Sequence, residues 1–312
     1  MLTNLLFDAM LLAAASMPLD ARAKVHFQVV DTSGGAVSNA VATVVTRRDR
    51  IENMGHGGSP MRRVTATTDA DGRASVAFPC YSGEFLGEVS AEGFYPEGQR
   101  DFYFKCAKGS FFFARLLERE KTVRFTLRRK IHPIPLFCNE TGHFLKMPCK
   151  SGRFGFDIKE NDWLPPHGKG KAQDFLVAYR HETTREGRRF SGSILFAEGC
   201  GAYRMKKMPY SFCSVYRADT NAVYRRRFDF VRAVSPTNFI EKADVLGEDE
   251  YLVLRTRATL DAQGAVVSAN YSKIYGAFIC TDRFFFEESY FNPVPNDPNL
   301  EYSGTNLAPY RR

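Results

Sequence analysis

One segment of the 312-residue chain, GFDIKENDWLPPHGKGKAQD from Gly155 to Asp174, crowds together side chains that could do chemistry. It carries four carboxylates, which belong to Asp157, Glu160, Asp162 and Asp174. Two carboxylates about 5–9.5 Å apart could hydrolyse a glycosidic bond, one as the acid and the other as base or nucleophile. Because acids beside Gly, Asn and Pro are also common turn residues, the alternative is that these carboxylates only shape a loop.

The same segment holds the only tryptophan of the chain, Trp163. A second stretch, YSKIY, places two tyrosines on one face of a strand. Trp and Tyr combine a large rigid surface with a polar tip, which predicts an aromatic platform for sugar rings. The predicted ligand-binding residues are Asp162, Trp163, His167, Lys169, Tyr271, Lys273 and Tyr275. The alternative is that Trp163 caps the core of its domain and that the tyrosines occupy ordinary strand positions.

Other catalytic and metal-binding signatures do not fit the sequence. The stretch GKGK at Gly168–Lys171 lacks the GxxxxGK[ST] frame of a P-loop, although its glycine amides and lysines could hold one anionic group. There is no GxSxG nucleophile elbow. The histidines lack the i, i+4 spacing of a helical zinc site, and no CxxC pair occurs. We therefore predict no catalytic residue, no metal and no cofactor.

The N-terminus is typical of an export signal. An apolar run from Leu5 to Ala15 is followed by the small-x-small pattern Ala21-Arg22-Ala23, so residues 1–23 are predicted to be a signal peptide. A buried N-terminal helix is the alternative, because no Lys or Arg precedes the run and Asp8 interrupts it. No later apolar run approaches the ~20 residues of a membrane span. The mature chain is predicted to be secreted or periplasmic.

The seven cysteines favour disulfides if the chain is exported. Nearness in sequence suggests three pairs and one remaining thiol, Cys280. The pairs are Cys80–Cys106, Cys138–Cys149 and Cys200–Cys213. Buried thiols are the alternative for several of them.

The composition predicts an all-β protein. Hydrophobic residues make up 44% and charged residues 25% of the chain, which is ordinary for a globular protein. The 27 Phe and 14 Tyr lie in short runs broken by Gly and Pro, a pattern that favours strands. The net charge of +8 suits an anionic partner or simply solvated strand faces. The basic residues form no long block, so no nucleic-acid partner is expected.

The first half of the chain shows short strands separated by Gly and Asp turns. Val25, Phe27 and Val29 alternate with polar residues, as in a half-buried strand. Three motifs follow in order, VDTSGGAVSNAVATV, TTDADGRA and GEVSAEGFYP. Together they resemble the carboxypeptidase-regulatory-like, transthyretin-like β-sandwich, over residues 24–104 with a closing strand at Thr122–Arg128. The resemblance implies a roughly seven-stranded accessory module, usually non-catalytic, which we assign to residues 24–130.

The prolines of IHPIP at Ile131–Pro135 interrupt the strand pattern and mark a domain boundary. Residues 131–312 are predicted to form a larger β-sandwich or jelly-roll-like domain, with a hairpin turning at Asp261–Gly264. The Pro- and Asn-rich stretch Asn292–Glu301 is expected to run over the surface. The stretches DWLPPHGKG, YSKIYG and NPVPND resemble a group of uncharacterised exported bacterial proteins, which implies architecture but no activity.

These observations together predict an exported, non-catalytic binding protein of the bacterial envelope, with a glycan or a surface protein as ligand. One alternative is a carbohydrate-active hydrolase that uses the carboxylates of residues 157–174. A second alternative is a purely structural component of the envelope.

Overall fold

A computed structural model describes residues 22–47, 61–80, 83–106, 116–140, 144–185, 187–208, 214–235 and 239–308. The regular secondary structure of these residues consists of 21 β-strands, which confirms the all-β prediction. Within these ranges no helix has the length and apolarity needed to cross a membrane. The chain divides after Lys130 into two compact units, here called the smaller unit, up to Lys130, and the larger unit, from Ile131 onward.

The smaller unit is a sandwich of two four-stranded sheets. Its strands are β1 (Arg22–Asp31), β2 (Val41–Arg47), β3 (Met61–Thr67), β4 (Arg73–Pro79), β5 (Glu84–Ser90), β6 (Phe94–Tyr95), β7 (Glu97–Tyr103) and β8 (Glu120–Arg129). One sheet has the strand order β4-β1-β8-β6 and the other has the order β3-β2-β5-β7. Their facing side chains form one hydrophobic core.

The alternation of β1 explains which face of this strand is buried. Val25, Phe27 and Val29 are all buried in the core, as their spacing predicts. The strand begins at Arg22, and Ala23 is also buried and pairs with Phe78. Two residues of the predicted signal peptide therefore belong to β1, whereas residues 1–21 lie outside the described part of the chain.

The larger unit is a sandwich of a seven-stranded and a six-stranded sheet. Its strands are β9 (Ile134–Glu140), β10 (Leu145–Lys146), β11 (Ser151–Asp157), β12 (Asp162–Trp163), β13 (Phe175–Thr184), β14 (Gly187–Leu195), β15 (Gly201–Lys206), β16 (Arg227–Val234), β17 (Phe239–Ala243), β18 (Glu250–Leu260), β19 (Val266–Cys280), β20 (Arg283–Phe291) and β21 (Tyr302–Asn306). The seven-stranded sheet runs β15-β18-β19-β20-β9-β21, with β10 beside β20. The six-stranded sheet runs β12-β11-β13-β14-β16-β17.

A single large core, rich in phenylalanine, joins the two sheets of the larger unit. Strands β11, β13, β14 and β16 supply it from one side, and β18, β19 and β20 supply it from the other. The predicted hairpin is present as β18 and β19, and its turn is closed by Asp261, whose Oδ1 accepts the amides of Gln263 and Ala265. The many Phe residues therefore serve mainly to fill the cores of the two units.

Each unit pairs its first described strand with its last, and both pairings are parallel. In the smaller unit Lys24–Asp31 of β1 lies along Glu120–Leu127 of β8. In the larger unit β9 lies along β21, with Ile134 opposite Tyr302.

The Pro- and Asn-rich stretch Asn292–Glu301 corrects an expectation, because it does not simply run over the surface. Asn292 is fully buried, and its Nδ2 donates to the carbonyls of Asp297 and Asn299 at 3.1 and 2.9 Å. Leu300, also fully buried, joins a second hydrophobic cluster on the outward side of β18 and β19. The stretch therefore covers part of the seven-stranded sheet, since its own side-chain amides satisfy the irregular backbone.

The predicted disulfides are not formed among the described residues. The residues that carry a free thiol include Cys80, Cys106, Cys149, Cys200 and Cys280. This removes the pairs Cys80–Cys106, Cys138–Cys149 and Cys200–Cys213, and Cys213 itself lies outside the described residues. The Cys80 and Cys106 thiols instead donate to backbone carbonyl oxygens at 3.8 and 3.4 Å. Burial raises the pKa of Cys80 to about 11, so this thiol behaves as a core side chain.

Candidate functional site

The segment that holds the predicted site is fastened at both ends by one arginine of the opposite sheet. Asp157 ends β11 and Asp174 precedes β13, and the pairing of Phe156 with Phe175 brings the two carboxylates close together. Arg257 donates from Nε to Asp174 Oδ1 at 2.8 Å. Its Nη2 donates to Asp157 Oδ1 at 2.8 Å and to Asp174 Oδ2 at 2.9 Å. We call Asp157, Asp174 and Arg257 the arginine latch.

The backbone of Arg257 is bent so that this side chain reaches across the sandwich. Its φ is +53°, in the left-handed region, and the pairing of β18 with β19 shifts register between Thr256 and Thr259. A non-glycine residue in this region costs roughly 1–2 kcal/mol, so the latch must offset that strain. The guanidinium also lies 4.5 Å from the centre of the Phe291 ring, which adds a cation–π contact.

Backbone amides saturate the oxygens of Asp157. Its Oδ2 accepts the N–H groups of Lys171 and Ala172 at 2.8 and 2.9 Å, and its Oδ1 accepts the amide of Glu160 at 3.1 Å. Burial raises the pKa of Asp157, but these three amides and the charge of Arg257 outweigh burial and hold the pKa below its usual value.

Asp174 is the more deeply buried partner of the latch. Its side chain is completely inaccessible, and its Oδ2 also accepts the amide of Ile158 at 2.7 Å. Burial is the dominant influence and raises the pKa of Asp174, although the hydrogen bonds from Arg257 oppose it. Since both Asp157 and Asp174 are buried and hydrogen-bonded, neither can reach a sugar or a water as a hydrolase acid or base in this structure.

Asp162, predicted to bind ligand, shapes the loop instead. Its Oδ1 accepts the amide of Trp163 at 2.8 Å and its Oδ2 accepts the amide of Lys169 at 3.0 Å. Only glycine can be accommodated at position 168 without a shift of neighbouring atoms, because a Cβ there would lie 2.4 Å from the carbonyl oxygen of Trp163. Gly168 therefore lets the loop pack closely against Asp162 and Trp163.

Trp163 is a core residue, so the predicted aromatic platform is wrong at its central member. Trp163 is only 3% exposed, and its Nε1 donates a hydrogen bond to the carbonyl of Lys146 at 3.2 Å. The rings of Phe154, Phe156 and Phe284 lie 6.0, 5.2 and 4.9 Å from the indole. The tryptophan caps the main core, as the alternative interpretation stated.

The structure does not bring the predicted tyrosines to Trp163. Tyr271 is 5% exposed and lies in the second hydrophobic cluster, on the other side of the seven-stranded sheet. Tyr275 is partly buried against the same cluster. Trp163 belongs to the main core between the sheets, so a full sheet separates the two groups of aromatic rings.

Lys273 is also buried, at 2% exposure, and connects two other segments of the larger unit through hydrogen bonds. Its Nζ donates to Ser214 Oγ at 2.6 Å and to the carbonyl of Leu300 at 2.8 Å. The ammonium lies 4.7 Å from the centre of the Tyr290 ring. These contacts tie the stretch that covers the sheet to β19.

His167 and Lys169 are the predicted site residues that are exposed. The His167 ring meets the ring of Phe154 edge-on at 5.3 Å. The amides of Lys169, Gly170 and Lys171 all donate to groups of β11, β12 or the loop itself. These three amides are therefore already used and do not form a cradle for an external anion.

The outward side of the six-stranded sheet carries a feature that motif reading did not reveal. Alternate residues of β11, β13, β14 and β16 point away from the core, and four of them are exposed arginines, Arg153, Arg180, Arg189 and Arg227. Between them lie the small residues Ala178, Ser191 and Ser193 and the larger apolar residues Leu176, Leu195 and Val231. We call this surface the arginine face.

Three of these arginines follow a diagonal across neighbouring strands. Arg153 lies opposite Ala178, Arg180 lies opposite Ser191, and Arg189 lies opposite Glu182. Each arginine is therefore one strand over and two residues along from the one before. Positions related in this way are about 7–8 Å apart.

Two acids also lie on the arginine face. Glu182 Oε1 pairs with Arg180 Nη2 at 2.6 Å, and Asp229 Oδ1 accepts from Arg227 Nε at 2.8 Å. The hydroxyl of Ser193 also donates to Asp229, at 2.6 Å, and this bond together with the Arg227 charge lowers the pKa of Asp229. The described outward side chains of these strands therefore include four exposed arginines and these two acids.

Residues 155–174, which include two members of the arginine latch, border the arginine face. A Cβ built at Gly155 would meet Leu164 and Gln173, so both side chains lie over the edge of this surface. Of the described residues, no group of three or more His, Cys, Asp or Glu is arranged to hold a metal ion. The sequence signal for the face is the Arg-x-acid spacing of Arg180 with Glu182 and of Arg227 with Asp229, but only the strand register reveals the diagonal.

Comparison with known proteins gives no family. No protein-family model matches the chain. No curated protein sequence matches it either.

Several solved structures show a remote likeness. The 3-chlorocatechol 1,2-dioxygenase of Rhodococcus opacus 1CP is 13% identical, with a TM-score of 0.25 over 35% of this chain and 60% of that chain. The shaft pilin SpaA of Lactobacillus rhamnosus GG is 10% identical, with a TM-score of 0.25 over 90% and 95% of the two chains. A DUF3823 family protein of Parabacteroides merdae is 12% identical, with a TM-score of 0.20 over 87% and 96%.

These likenesses carry no argument about function, because TM-scores of 0.20–0.25 are too low for that. The chain also spans only 60% and 63% of the length of the two chlorocatechol dioxygenase chains that it matches.

Proposed function

We propose that this chain is an exported, non-catalytic binding protein of the bacterial envelope, and that the arginine face of its larger unit contacts an anionic glycan or an anionic surface protein. The observation that carries the proposal is the projection of four exposed arginines from the outward side of one sheet. Guanidinium groups are planar, always charged and suited to bidentate binding of carboxylate or phosphate. A surface of this kind attracts an anionic partner and also orients it.

The non-catalytic part of the proposal is supported by the arginine latch. The carboxylates of Asp157 and Asp174 are bound by Arg257 and by backbone amides, and Asp162 is bound by two amides of its own loop. A glycosidase needs one carboxyl group that can give a proton and another that can meet the sugar or a water. The segment that suggested hydrolysis is better explained as a structural fastening.

Export and the accessory role of the smaller unit rest on the sequence. The apolar run and small-x-small pattern of residues 1–23 support export, and three ordered motifs resemble the carboxypeptidase-regulatory-like module. The resemblance implies a β-sandwich of roughly seven strands, and the smaller unit is a sandwich of eight strands, which supports the proposal. We propose that the smaller unit is such a module and that the larger unit binds the ligand.

The test is a binding screen of the full chain against an array of acidic and neutral glycans and against extracted envelope proteins. The double variant Arg153→Gln/Arg180→Gln removes two exposed charges from the face. The matched control is Arg62→Gln, an exposed arginine on β3 of the smaller unit. We expect binding to an anionic partner that the double variant loses and the control keeps.

Two results would overturn the proposal. Equal binding by the double variant and the unchanged chain would remove the arginine face as the binding surface. Release of new reducing ends from any bound glycan, abolished by Asp157→Asn, would make the chain a hydrolase.

A further inference from the structure

The regular diagonal of Arg153, Arg180 and Arg189 carries more information than the charge of the face. Neighbouring members stand about 7–8 Å apart and lie on successive strands, because the register advances two residues at each step. A point anion such as phosphate would need convergent donors, whereas these guanidinium groups are spread along a line. The arrangement suits a ligand with several charges in a row.

We infer that the ligand of the arginine face is a linear polysaccharide that carries carboxylates at regular intervals and lies along this diagonal. The inference rests on the proposed function and specifies its ligand. Each guanidinium would exchange any contact that it makes within the chain for one ligand carboxylate, the group whose geometry it matches in two parallel hydrogen bonds.

The face already shows how one such contact is made. Arg180 Nη2 binds the carboxylate of Glu182 at 2.6 Å, and the two side chains are 69% and 41% exposed. A ligand carboxylate could replace Glu182 at this exposed fork at little cost, since exposed ion pairs contribute little stability. Glu182 thus occupies the position that the ligand would take and competes with it.

The floor around the diagonal suits a sugar chain. Ala178 lies beside Arg153, and Ser151 and Ser191 lie on the strands to either side of Arg180. Small side chains let a flat ring approach the sheet closely, and the two hydroxyls can exchange hydrogen bonds with sugar hydroxyls. Carboxylate and hydroxyl groups are both present in a polymer of uronic acids.

Other ligand classes fit the face less well. Among the described outward side chains of β11, β13, β14 and β16 none is aromatic. Nucleic-acid bases and neutral sugar rings are both commonly held by stacking on aromatic rings. Protein hot spots are rich in Trp and Tyr as well as in Arg, and this face offers only the arginines. Recognition here must come from charge and hydrogen bonding, which favours an acidic polysaccharide.

The experiment measures binding of the chain to polygalacturonate, to its neutral methyl ester, to polyglutamate and to single-stranded oligothymidylate, each at two salt concentrations. We expect binding to polygalacturonate that falls with salt and is at least tenfold weaker for the methyl ester. Arg180→Gln should weaken it about tenfold, because hydrogen bonds to a charged group are lost. Arg180→Lys, which keeps the charge and loses the fork, should restore only part of the affinity.

Glu182→Gln gives a result in the opposite direction. Removal of the competing carboxylate should tighten binding to polygalacturonate about two- to fivefold. The control variant Arg62→Gln should bind like the unchanged chain. Circular dichroism of each variant checks that the fold is kept.

The outcomes separate this inference from the proposed function. Equal binding to polygalacturonate and its methyl ester, or tighter binding to polyglutamate or oligothymidylate, overturns the inference that the ligand is an acidic polysaccharide. In that case the arginine face remains the binding surface if Arg180→Gln still weakens binding. Binding to polygalacturonate that neither Arg153→Gln nor Arg180→Gln weakens overturns both. Weaker binding by Glu182→Gln overturns the role of Glu182 as a competitor.

Discussion

Replacement of Arg257 by methionine should destabilise the larger unit strongly, because it would leave two carboxylates buried without their cation. The side chains of Asp157 and Asp174 are 1% and 0% exposed, and Arg257 makes three hydrogen bonds to them. Breaking a buried ion pair by removing one partner costs about 3–5 kcal/mol. For a unit of this size each kcal/mol lowers Tm by about 2–4 °C, so we expect a loss of roughly 6–20 °C.

Tryptophan fluorescence is the assay of choice for this prediction. Trp163 is the only tryptophan and is buried in the core of the larger unit, so its emission reports the unfolding of that unit alone. The matched control is Arg255→Met on the same strand. Arg255 donates to the carbonyl of Gly199 at 2.8 Å and lies over the ring of Tyr224, so its loss should cost only about 1–2 kcal/mol.

A triple variant separates lost charge balance from lost packing. In Asp157→Asn/Asp174→Asn/Arg257→Met the buried charges are gone, and the protein should be more stable than Arg257→Met alone. The reasoning is refuted if Arg257→Met costs less than about 1 kcal/mol, or if the triple variant is no more stable than the single one.

Three further predictions test other features. Burial and the Lys150 charge hold the pKa of His181 below its usual 6.5, so the contribution of His181 to stability is complete above pH 6.5 and is lost as the pH falls through the folded pKa. The variant His181→Phe should therefore show a flatter decline of the urea unfolding midpoint below pH 6.5. An unchanged decline would contradict this. A bulky thiol reagent should label exposed Cys149 before buried Cys200 in native protein, as peptide mass mapping would show, and equal rates would argue against the fold at these sites. Gly168→Ala should cost about 1–3 kcal/mol by urea unfolding, because its Cβ would lie 2.4 Å from a carbonyl oxygen; a cost below 0.5 kcal/mol would mean that the loop yields easily.

The strands of the smaller unit could be predicted because their signals are local. Alternation in β1 is read directly from Val25, Phe27 and Val29, and all three are buried. The hairpin of β18 and β19 was equally accessible, since Asp261 and Gly264 close a short turn between two long strands. In both places neighbouring residues determine the outcome.

The candidate site could not be predicted for the opposite reason. Whether Asp157 is catalytic or structural depends on Arg257, which lies 100 residues away in sequence. Trp163 is of a residue type that often forms ligand platforms, but it is buried partly by contact with Phe284 of the other sheet. The diagonal of arginines exists only once the register of three strands is fixed, and a shift of one residue would turn Arg180 into the core.

The parallel pairing of first and last strands determines how each unit would respond to a pulling force. If the chain is stretched through its ends, β1 and β8 are drawn in opposite directions along their length, as are β9 and β21. The hydrogen bonds between them are then loaded together in shear, whereas an antiparallel hairpin pulled at its open end would open one bond at a time. In the smaller unit this ladder runs from Lys24 to Asp31, and in the larger unit it runs only from Ile134 to Leu136. Under tension the larger unit should therefore yield first, whatever the order in which urea unfolds the two.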